Sequence, residues 1–181
     1  MKFITLPLSG AFLIELEPHR DHRGYFERTW CKKEFETQGI VKPFVQTALS
    51  YNEQRGTLRG IHFQKKPHQE AKLISCIQGS AYDVIVDLRP TSVTFLQTFT
   101  AILSEEKHNA IYIPEGFAHG FQTLEDKTKL SYALTAYHHP DSASGIRWDD
   151  PTLSISWPID TMIISKKDQD WDHVPRTTQS S

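Results

Sequence analysis

From residue 44 onward, the sequence consists of short apolar segments that glycine and proline separate at close intervals. Glycine and proline favour turns, so each interval has room for only one strand. The predicted strands span residues 44–50, 57–64, 71–78, 81–88, 95–103, 109–113, 117–123 and 128–137. Many closely spaced strands with little helix indicate an all-β sandwich or barrel.

The first forty residues add two strands and one short helix to this prediction. Residues 11–17 are expected to form a strand, and residues 21–27 a turn that leads into a second strand. Residues 31–38 have a composition compatible with a helix, and Gly39 is placed to end it. The N-terminal region is therefore expected to extend the β-rich fold rather than to form a separate helical unit.

Length and composition limit the classes of protein to which the chain can belong. A chain of 181 residues suits one domain, 1–181, with a frayed tail at about 176–181. The net charge of −2 gives no overall field for nucleic acid, and no apolar stretch has the length of a membrane span. The N-terminus lacks the pattern of a signal peptide, so a cytoplasmic protein is expected. Cys31 and Cys76 lack CxxC spacing, and Cys76 is expected to be a reduced core residue.

Two details of the strand at 81–88 remain open from sequence. Gln78, Gly79 and Ser80 are typical of a tight hairpin between this strand and the preceding one. Alternation along the strand places Asp83 and Asp87 on the same face. Such a face lines a wet cavity in some proteins and meets solvent in others, and the strand alone does not decide between them.

The segments 58–64 and 70–72 place Arg59, His62 and Lys72 on two consecutive strands. A guanidinium, an imidazole and an ammonium in a β-rich region suggest a site for an anionic substrate from which a proton is removed. A strand histidine is more often structural than catalytic, but neighbouring cations would keep His62 neutral and able to act as a base. Lys72 shares a face with apolar residues, so it either meets an anion or cavity or extends to water.

Further candidates lie downstream, where each has an ordinary structural alternative. His119 follows the turn at Pro114 and Gly116 and is flanked by Phe117 and Phe121, so it is either a pocket wall or a buried, hydrogen-bonded histidine. Tyr132 is a candidate acid only if it faces a base across a cavity, and Asp168 is a candidate for orienting a histidine. The sequence contains no HxH pair, so metal binding by His62 and His119 is weakly supported and no metal site is predicted.

Several long motifs in order resemble the dTDP-4-dehydrorhamnose 3,5-epimerase family over roughly residues 10–172. The motifs are DHRGYFERTW, TLRGIHFQ, EAKLISCIQGSAYDVIVDLRPTSVTF, IYIPEGFAHGFQTL, GIRWDDP and ISKKD. The resemblance implies a cupin-type jelly roll that works as a homodimer, without cofactor or metal. It also implies a role in dTDP-rhamnose biosynthesis, which supplies cell-surface polysaccharides, and a dTDP-linked 4-keto-6-deoxy sugar as substrate.

The resemblance also implies residue roles. His62 would remove the proton α to the 4-keto group, with Asp168 orienting its ring, and Tyr132 would return a proton to the opposite face. Lys72, together with His119, would stabilise the enolate oxygen. The residues implied in nucleotide binding are Arg59 and Gln46 at the pyrophosphate, Arg23 from the partner subunit, Tyr137 or His138 stacked on the base, and Lys167 beside it.

Four positions depart from the family pattern. The family usually has Asn at the position of Ala48, often Glu at Arg28, commonly Lys at Ala133 and Glu at Ala143. The implied base, acid and lysine are all kept, so proton abstraction is the firmer expectation. The sugar, the nucleotide base and the number of inverted carbons are left open.

Three other functions remain as alternatives. A related enzyme would invert only C3 or C5, or would move the keto group as a 3,4-ketoisomerase. A sugar-binding β-sandwich without catalysis is the alternative from a different class. A metal-dependent cupin oxygenase is the most distant.

Overall fold

The computed structural model describes residues 1–160 and 162–174. The predicted frayed tail at 176–181 lies outside the described residues. The strands are β1 (Lys2–Thr5), β2 (Phe12–Glu15), β3 (His19–Asp21), β4 (Gly24–Phe26), β5 (Gln46–Asn52), β6 (Thr57–Gln64), β7 (Lys72–Gln78), β8 (Ser80–Asp87), β9 (Thr98–Ser104), β10 (Asn109–Ile113), β11 (Phe117–Thr123), β12 (Thr128–Leu134), β13 (Ala143–Gly145) and β14 (Ile163–Ile164). The helices are α1 (Lys32–Glu36) and α2 (Lys166–Gln169), and Pro140–Ser142 form a 3-10 turn.

Two sheets pack face to face and confirm the prediction of an all-β, cupin-type jelly-roll sandwich. The first sheet has the order β1-β2-β10-β7-β12-β5, and the second has the order β13-β6-β11-β8-β9, with β14 beside β6. Alternate residues of each strand point between the sheets, where Ile74, Ile85, Phe121 and Leu130 form part of the main core. β3 and β4 form a separate two-stranded hairpin.

The chain changes sheets at Gly79, and the predicted pairing of β7 with β8 is therefore wrong. The turn itself is present, since Gly79 has φ +73°, and a Cβ there would lie 2.7 Å from Thr128 Oγ1. However, β7 pairs with β10 and β12, whereas β8 pairs with β9 and β11. Turn residues indicate that the chain reverses, but they do not specify which sheet receives the next strand.

Most predicted strands are present within a few residues, and the missed elements are short. The elements absent from the prediction are β1, β3, β13, β14 and α2. β3 is the run His19–Asp21, whose polar residues carry no apolar alternation because its hairpin is exposed on both faces. Cys76 is a buried free thiol, as predicted. Within residues 1–160 and 162–174, none of the helices has the length and apolar character needed to cross a bilayer.

The two acids of β8 meet neither bulk solvent nor an open wet surface. Asp83 and Asp87 are both 0% exposed. Asp83 points between the sheets and accepts a hydrogen bond from His119, whereas Asp87 accepts hydrogen bonds from Arg89, Ser92 and Thr94. The face therefore belongs to the interior, and Asp83 lies directly behind a cavity wall.

Candidate active site

A cleft opens between the two sheets, and most of the predicted site residues line it. One cavity of about 300 Å³ is lined by Arg59, His62, Glu70, Lys72, His119 and Tyr132, among others. A neighbouring cavity of about 370 Å³ shares the first four of these and adds His138, Lys167, Asp168 and Trp171. Because four residues line both cavities, the two form adjoining parts of a single cleft.

A bulge in β6 explains how Arg59 and His62 face the same cleft. Residues three apart in a regular strand point to opposite faces. Opposite β11, however, His62 pairs with His119 and Arg59 pairs with Phe121, so β6 has one extra residue in this interval. Gly60 lies in this interval with φ +129°, and a Cβ there would lie 2.5 Å from Gly120 Cα. Only glycine therefore allows the two strands to approach this closely.

His62 forms a dyad with Asp168. His62 Nε2 lies 2.6 Å from Asp168 Oδ1, and Gly60 N and Trp171 Nε1 each donate to the same carboxylate at 3.3 Å. Burial raises the pKa of Asp168, but the hydrogen bonds, chiefly that from His62, outweigh burial and leave the pKa below its ordinary value. An ionised carboxylate only accepts hydrogen bonds, so Nε2 carries the proton and Nδ1 keeps its lone pair.

α2 fixes the position of this carboxylate. The Ser165 side chain caps the helix by accepting from Asp168 N at 3.1 Å. Trp171, which follows the helix, packs against Gly145, where a Cβ would lie 2.5 Å from the indole ring. A small residue in β13 thus lets the Trp171 ring lie beside His62, at a ring distance of 6.4 Å.

Lys72 and Tyr132 approach the cleft from the sheet opposite His62. β7 and β12 belong to the first sheet, and β6 belongs to the second. Lys72 is 7% exposed, and burial lowers the pKa of its ammonium, partly offset by the charges of Glu70 and Asp83. Burial raises the pKa of Tyr132. Its hydroxyl therefore stays protonated, and it makes no hydrogen bond to any residue in the described ranges.

His119 is both a pocket wall and a buried, hydrogen-bonded histidine, so the two alternatives open from sequence are both true. Its Nε2 lies 2.7 Å from Asp83 Oδ2, and its ring lies 6.0 Å from that of Tyr132. Burial lowers the pKa of His119 despite the neighbouring Asp83 charge. With Nε2–H donated to Asp83, the neutral ring has only an acceptor nitrogen left.

The residues predicted to bind the nucleotide do not all lie in the cleft: some line it, some border it, and one lies in the β3–β4 hairpin. Gln46 and Tyr137 border the cleft without lining either cavity: Gln46 Oε1 accepts from His138 N at 3.2 Å, and Tyr137 is 65% exposed. Lys167 Nζ lies 5.5 Å from the Trp171 ring centre. Arg23 lies in the β3–β4 hairpin, where it pairs with Asp21, and lines neither cavity of its own chain.

Comparison with known proteins accounts for nearly the whole chain. Residues 5–175 match the family described as dTDP-4-dehydrorhamnose 3,5-epimerase. The enzyme of that name from Methanothermobacter thermautotrophicus is 44% identical over 173 residues, which cover 94% of this chain and 92% of the relative. The crystal structure of the Bacillus anthracis enzyme, with TDP and pyrophosphate bound, is 43% identical with a TM-score of 0.93, covering 96% of this chain and 99% of that one.

The chain belongs to the dTDP-4-dehydrorhamnose 3,5-epimerase family. A further relative differs in its named specificity: the Streptomyces niveus protein named dTDP-4-dehydrorhamnose 3-epimerase is 34% identical, covering 94% of this chain and 82% of that protein. The chain is thus similar both to double epimerases and to a single-carbon epimerase.

Of the four departures from the family pattern, two line the cleft and two lie outside it. Ala48 lines the cleft and pairs with Tyr132 across β5 and β12, and Ala143 lines the second cavity. Ala133 packs in a different apolar cluster, beside Leu73. Arg28 lies outside both cavities and pairs with Glu34. Ala48 and Ala143 are therefore the two departures that line the cleft.

Two cleft residues, Glu70 and Trp171, and the buried Asp83 behind the cleft wall were not predicted from the sequence to be site residues. Glu70 precedes β7 in an irregular segment, so strand alternation did not predict that its side chain meets Lys72. Asp83 was predicted only to share a strand face with Asp87, because its pairing with His119 depends on the β8–β11 register. No sequence pattern indicated that Trp171 would lie in the cleft. Among residues 1–160 and 162–174, no group of three or more His, Cys, Asp or Glu is placed to hold a metal ion.

Proposed function

We propose that this chain is an isomerase that epimerises a dTDP-linked 4-keto-6-deoxy sugar at both C3 and C5. The observation that carries the proposal is His62 on one sheet, paired with Asp168 of α2, and Tyr132 on the opposite sheet, with the cleft between them. A base and an acid on opposite sides of a bound sugar remove a proton from one face and return one to the other. This inverts the carbon.

Each carbon next to the ketone carries a weakly acidic proton, so the reaction needs a base together with stabilisation of the enolate oxygen. His62 takes the proton on Nδ1, and Asp168 stabilises the imidazolium that forms. The Lys72 ammonium donates to the enolate oxygen. Tyr132 donates its phenolic proton to the opposite face of the carbon.

His119 has a different part in this scheme from the one implied by the resemblance. Its Nε2–H is directed to Asp83, so the neutral ring has no proton to give to an enolate. Its free nitrogen is suited to accept a hydrogen bond from a sugar hydroxyl. The stabilisation of the enolate thus falls to Lys72 alone.

The nucleotide diphosphate lies toward the second cavity in this proposal. Arg59 lines both cavities and is held by Asn52 through a 2.8 Å bond from its Nε, so its guanidinium is placed between sugar and nucleotide for the pyrophosphate. Lys167 and His138 line the second cavity, and the exposed Tyr137 ring is available to stack on the base. Gln46 supports this wall through its bond to His138 N.

The same proposal includes a homodimer of single-domain subunits in which the β3–β4 hairpin extends to the partner. Arg23 is 78% exposed in its side chain and lines neither cavity of its own cleft, which suits a residue that acts in the partner's site. Tyr25 and Phe26 of the hairpin are 50% and 74% exposed, and such aromatic exposure is typical of an interface. Sedimentation of a monomer at micromolar concentration would contradict this part.

Inversion of a single carbon is the second candidate, because Ala48 and Ala143 change the cleft and one relative is named a 3-epimerase. A 3,4-ketoisomerase and a non-catalytic sugar binder are the remaining alternatives. A panel of 4-keto sugars linked to dTDP, GDP, CDP and UDP tests the proposal, with product structure read by NMR. Turnover of the dTDP sugar to the doubly inverted ketone supports it, whereas binding of the sugar without turnover contradicts it.

A further inference from the structure

Glu70 is an anion buried beside Lys72 to which no role has yet been assigned. Its Oε1 lies 3.4 Å from Lys72 Nζ, and the two side chains are only 10% and 9% exposed. Lys72 Nζ also donates to the carbonyl oxygen of His62 at 3.4 Å. The ammonium is therefore held between a carboxylate and the strand that carries the base.

A hydrogen bond fixes the orientation of this carboxylate. Gln64 Nε2 donates to Glu70 Oε2 at 3.1 Å, and Gln64 is 5% exposed. The two hydrogens of this nitrogen are shared with the carbonyl oxygens of His68, at 3.0 Å, and Tyr137, at 3.2 Å, and Gln64 Oε1 accepts from His139 N. One carboxylate oxygen is thus occupied by Gln64, and the other is directed to Lys72.

We propose that Glu70 is a positioning residue that keeps the Lys72 ammonium charged and directed toward the enolate oxygen. The inference rests on the proposed role of Lys72 in the epimerase reaction. A buried lysine with no anion beside it tends to lose its proton, and a neutral amine is a much weaker donor to an oxyanion. Glu70 thereby extends the pH range in which the enolate is stabilised.

Lys72 shares the cleft with charged or titratable groups from several elements. Arg59 and His62 of β6, His119 of β11 and Tyr132 of β12 line the first cavity with it, and Asp83 of β8 lies behind His119. In the second cavity it is joined by His138, Lys167 and Asp168, whereas β10 places the apolar Ile113 opposite it. Arg59 opposes the Lys72 charge, and Asp83 supports it but is already engaged with His119. Asp168 is likewise engaged with His62, so of the three acids Glu70 is the one in direct contact with the ammonium.

The test compares the pH dependence of kcat in wild type, Glu70→Gln and Glu70→Asp. Glu70→Gln keeps the shape but removes the charge, so the alkaline limb is expected to move to lower pH by about 1 unit. Glu70→Asp keeps the charge, so it is expected to retain most of the pH range over which wild-type kcat is maintained. Glu106→Gln, at an exposed acid, is the control that should leave the profile unchanged. The proposal would be overturned if kcat had the same pH profile in wild type and Glu70→Gln. It would also be overturned if the alkaline limb moved equally in Glu70→Gln and Glu70→Asp.

A second measurement is independent of turnover. The 13Cε chemical shift of Lys72, assigned by its loss in Lys72→Met, reports the ionisation of the ammonium directly. It is expected to titrate at lower pH in Glu70→Gln than in wild type, and identical titrations would overturn the proposal. If wild type fails to epimerise but the lysine titration still shifts, the proposed function fails while the pairing stands. If the lysine shifts and the kcat profile does not, Glu70 has no part in catalysis.

Discussion

His62 Nε2 lies 2.6 Å from Asp168 Oδ1, although 106 residues separate the two along the chain. The contact depends on α2 lying against β6 and on Gly60 N binding the second carboxylate oxygen. The dyad leaves one imidazole nitrogen with its lone pair and supplies a negative charge beside the ring. Both are requirements of a general base that works near neutral pH.

Asp168→Asn should lower kcat by about 10²-fold or more with a smaller change in KM. The amide lacks the charge that stabilises the imidazolium, and its NH2 group favours the wrong tautomer of His62. Steady-state kinetics on the dTDP sugar measure this. Asp170→Asn, two residues further along and exposed, is the matched control. A kcat that falls equally in both variants would mean that disturbance of α2, rather than the dyad, is responsible.

Tyr132→Phe should separate proton removal from inversion. His62 still abstracts the proton, so solvent deuterium enters the substrate, but formation of the inverted product falls because the acid is missing. The hydroxyl makes no hydrogen bond within the part of the chain described, so the free energy of unfolding should change by less than about 1 kcal/mol. Tyr112→Phe removes a buried hydroxyl from a different cluster and should leave turnover intact. Full inversion by Tyr132→Phe would exclude Tyr132 as the acid.

Mixing inactive Arg23→Ala and His62→Ala subunits tests whether the site is shared. If Arg23 acts in the partner's cleft, each mixed dimer has one intact site, and random mixing restores about a quarter of wild-type activity. If Arg23 acts in its own cleft, no intact site forms and activity stays at the level of the separate variants. The measurement is turnover after the two variants are denatured together and refolded, with each variant refolded alone as the control.

Asp87 should contribute to stability in a pH-dependent way. Burial alone would raise the pKa of Asp87, but hydrogen bonds from Arg89, Ser92 and Thr94 outweigh burial and hold the pKa well below its ordinary value. The unfolded chain has an Asp pKa of about 3.9. The stabilisation is therefore fully present above about pH 4 and is lost as the pH falls toward the folded-state pKa.

Asp87→Asn should accordingly lower the free energy of unfolding by about 1–3 kcal/mol at pH 7. The difference in the free energy of unfolding between wild type and Asp87→Asn should shrink as the pH falls below 4. Urea unfolding at both pH values measures this, with exposed Asp141→Asn as the control. If the loss of unfolding free energy in Asp87→Asn is the same at pH 7 and below pH 4, the charge of the Asp87 carboxylate does not contribute to stability.

The sequence predicted those features of the fold and the site that depend on residues close together along the chain. The alternation of apolar residues with glycine and proline predicted most strands of the two sheets, and the motif around Arg59 and His62 identified one wall of the cleft. The sheet partners were not predictable, because the turn at Gly79 is compatible with both a hairpin and a change of sheet. The bulge that turns Arg59 and His62 to one face, and the pairings of His119 with Asp83 and of Glu70 with Lys72, likewise depend on register and long-range packing.

Solvent exchange at C3 and C5 tests the central claim most directly. Wild type and His62→Ala are incubated with the dTDP-linked 4-keto-6-deoxy sugar in D2O, and deuterium at each carbon is read by NMR, with His173→Ala, an exposed histidine, as the control. We predict deuterium at both carbons with wild type and the control, and loss of exchange at both with His62→Ala. Exchange at only one carbon in wild type would contradict double epimerisation, and undiminished exchange in His62→Ala would contradict His62 as the base.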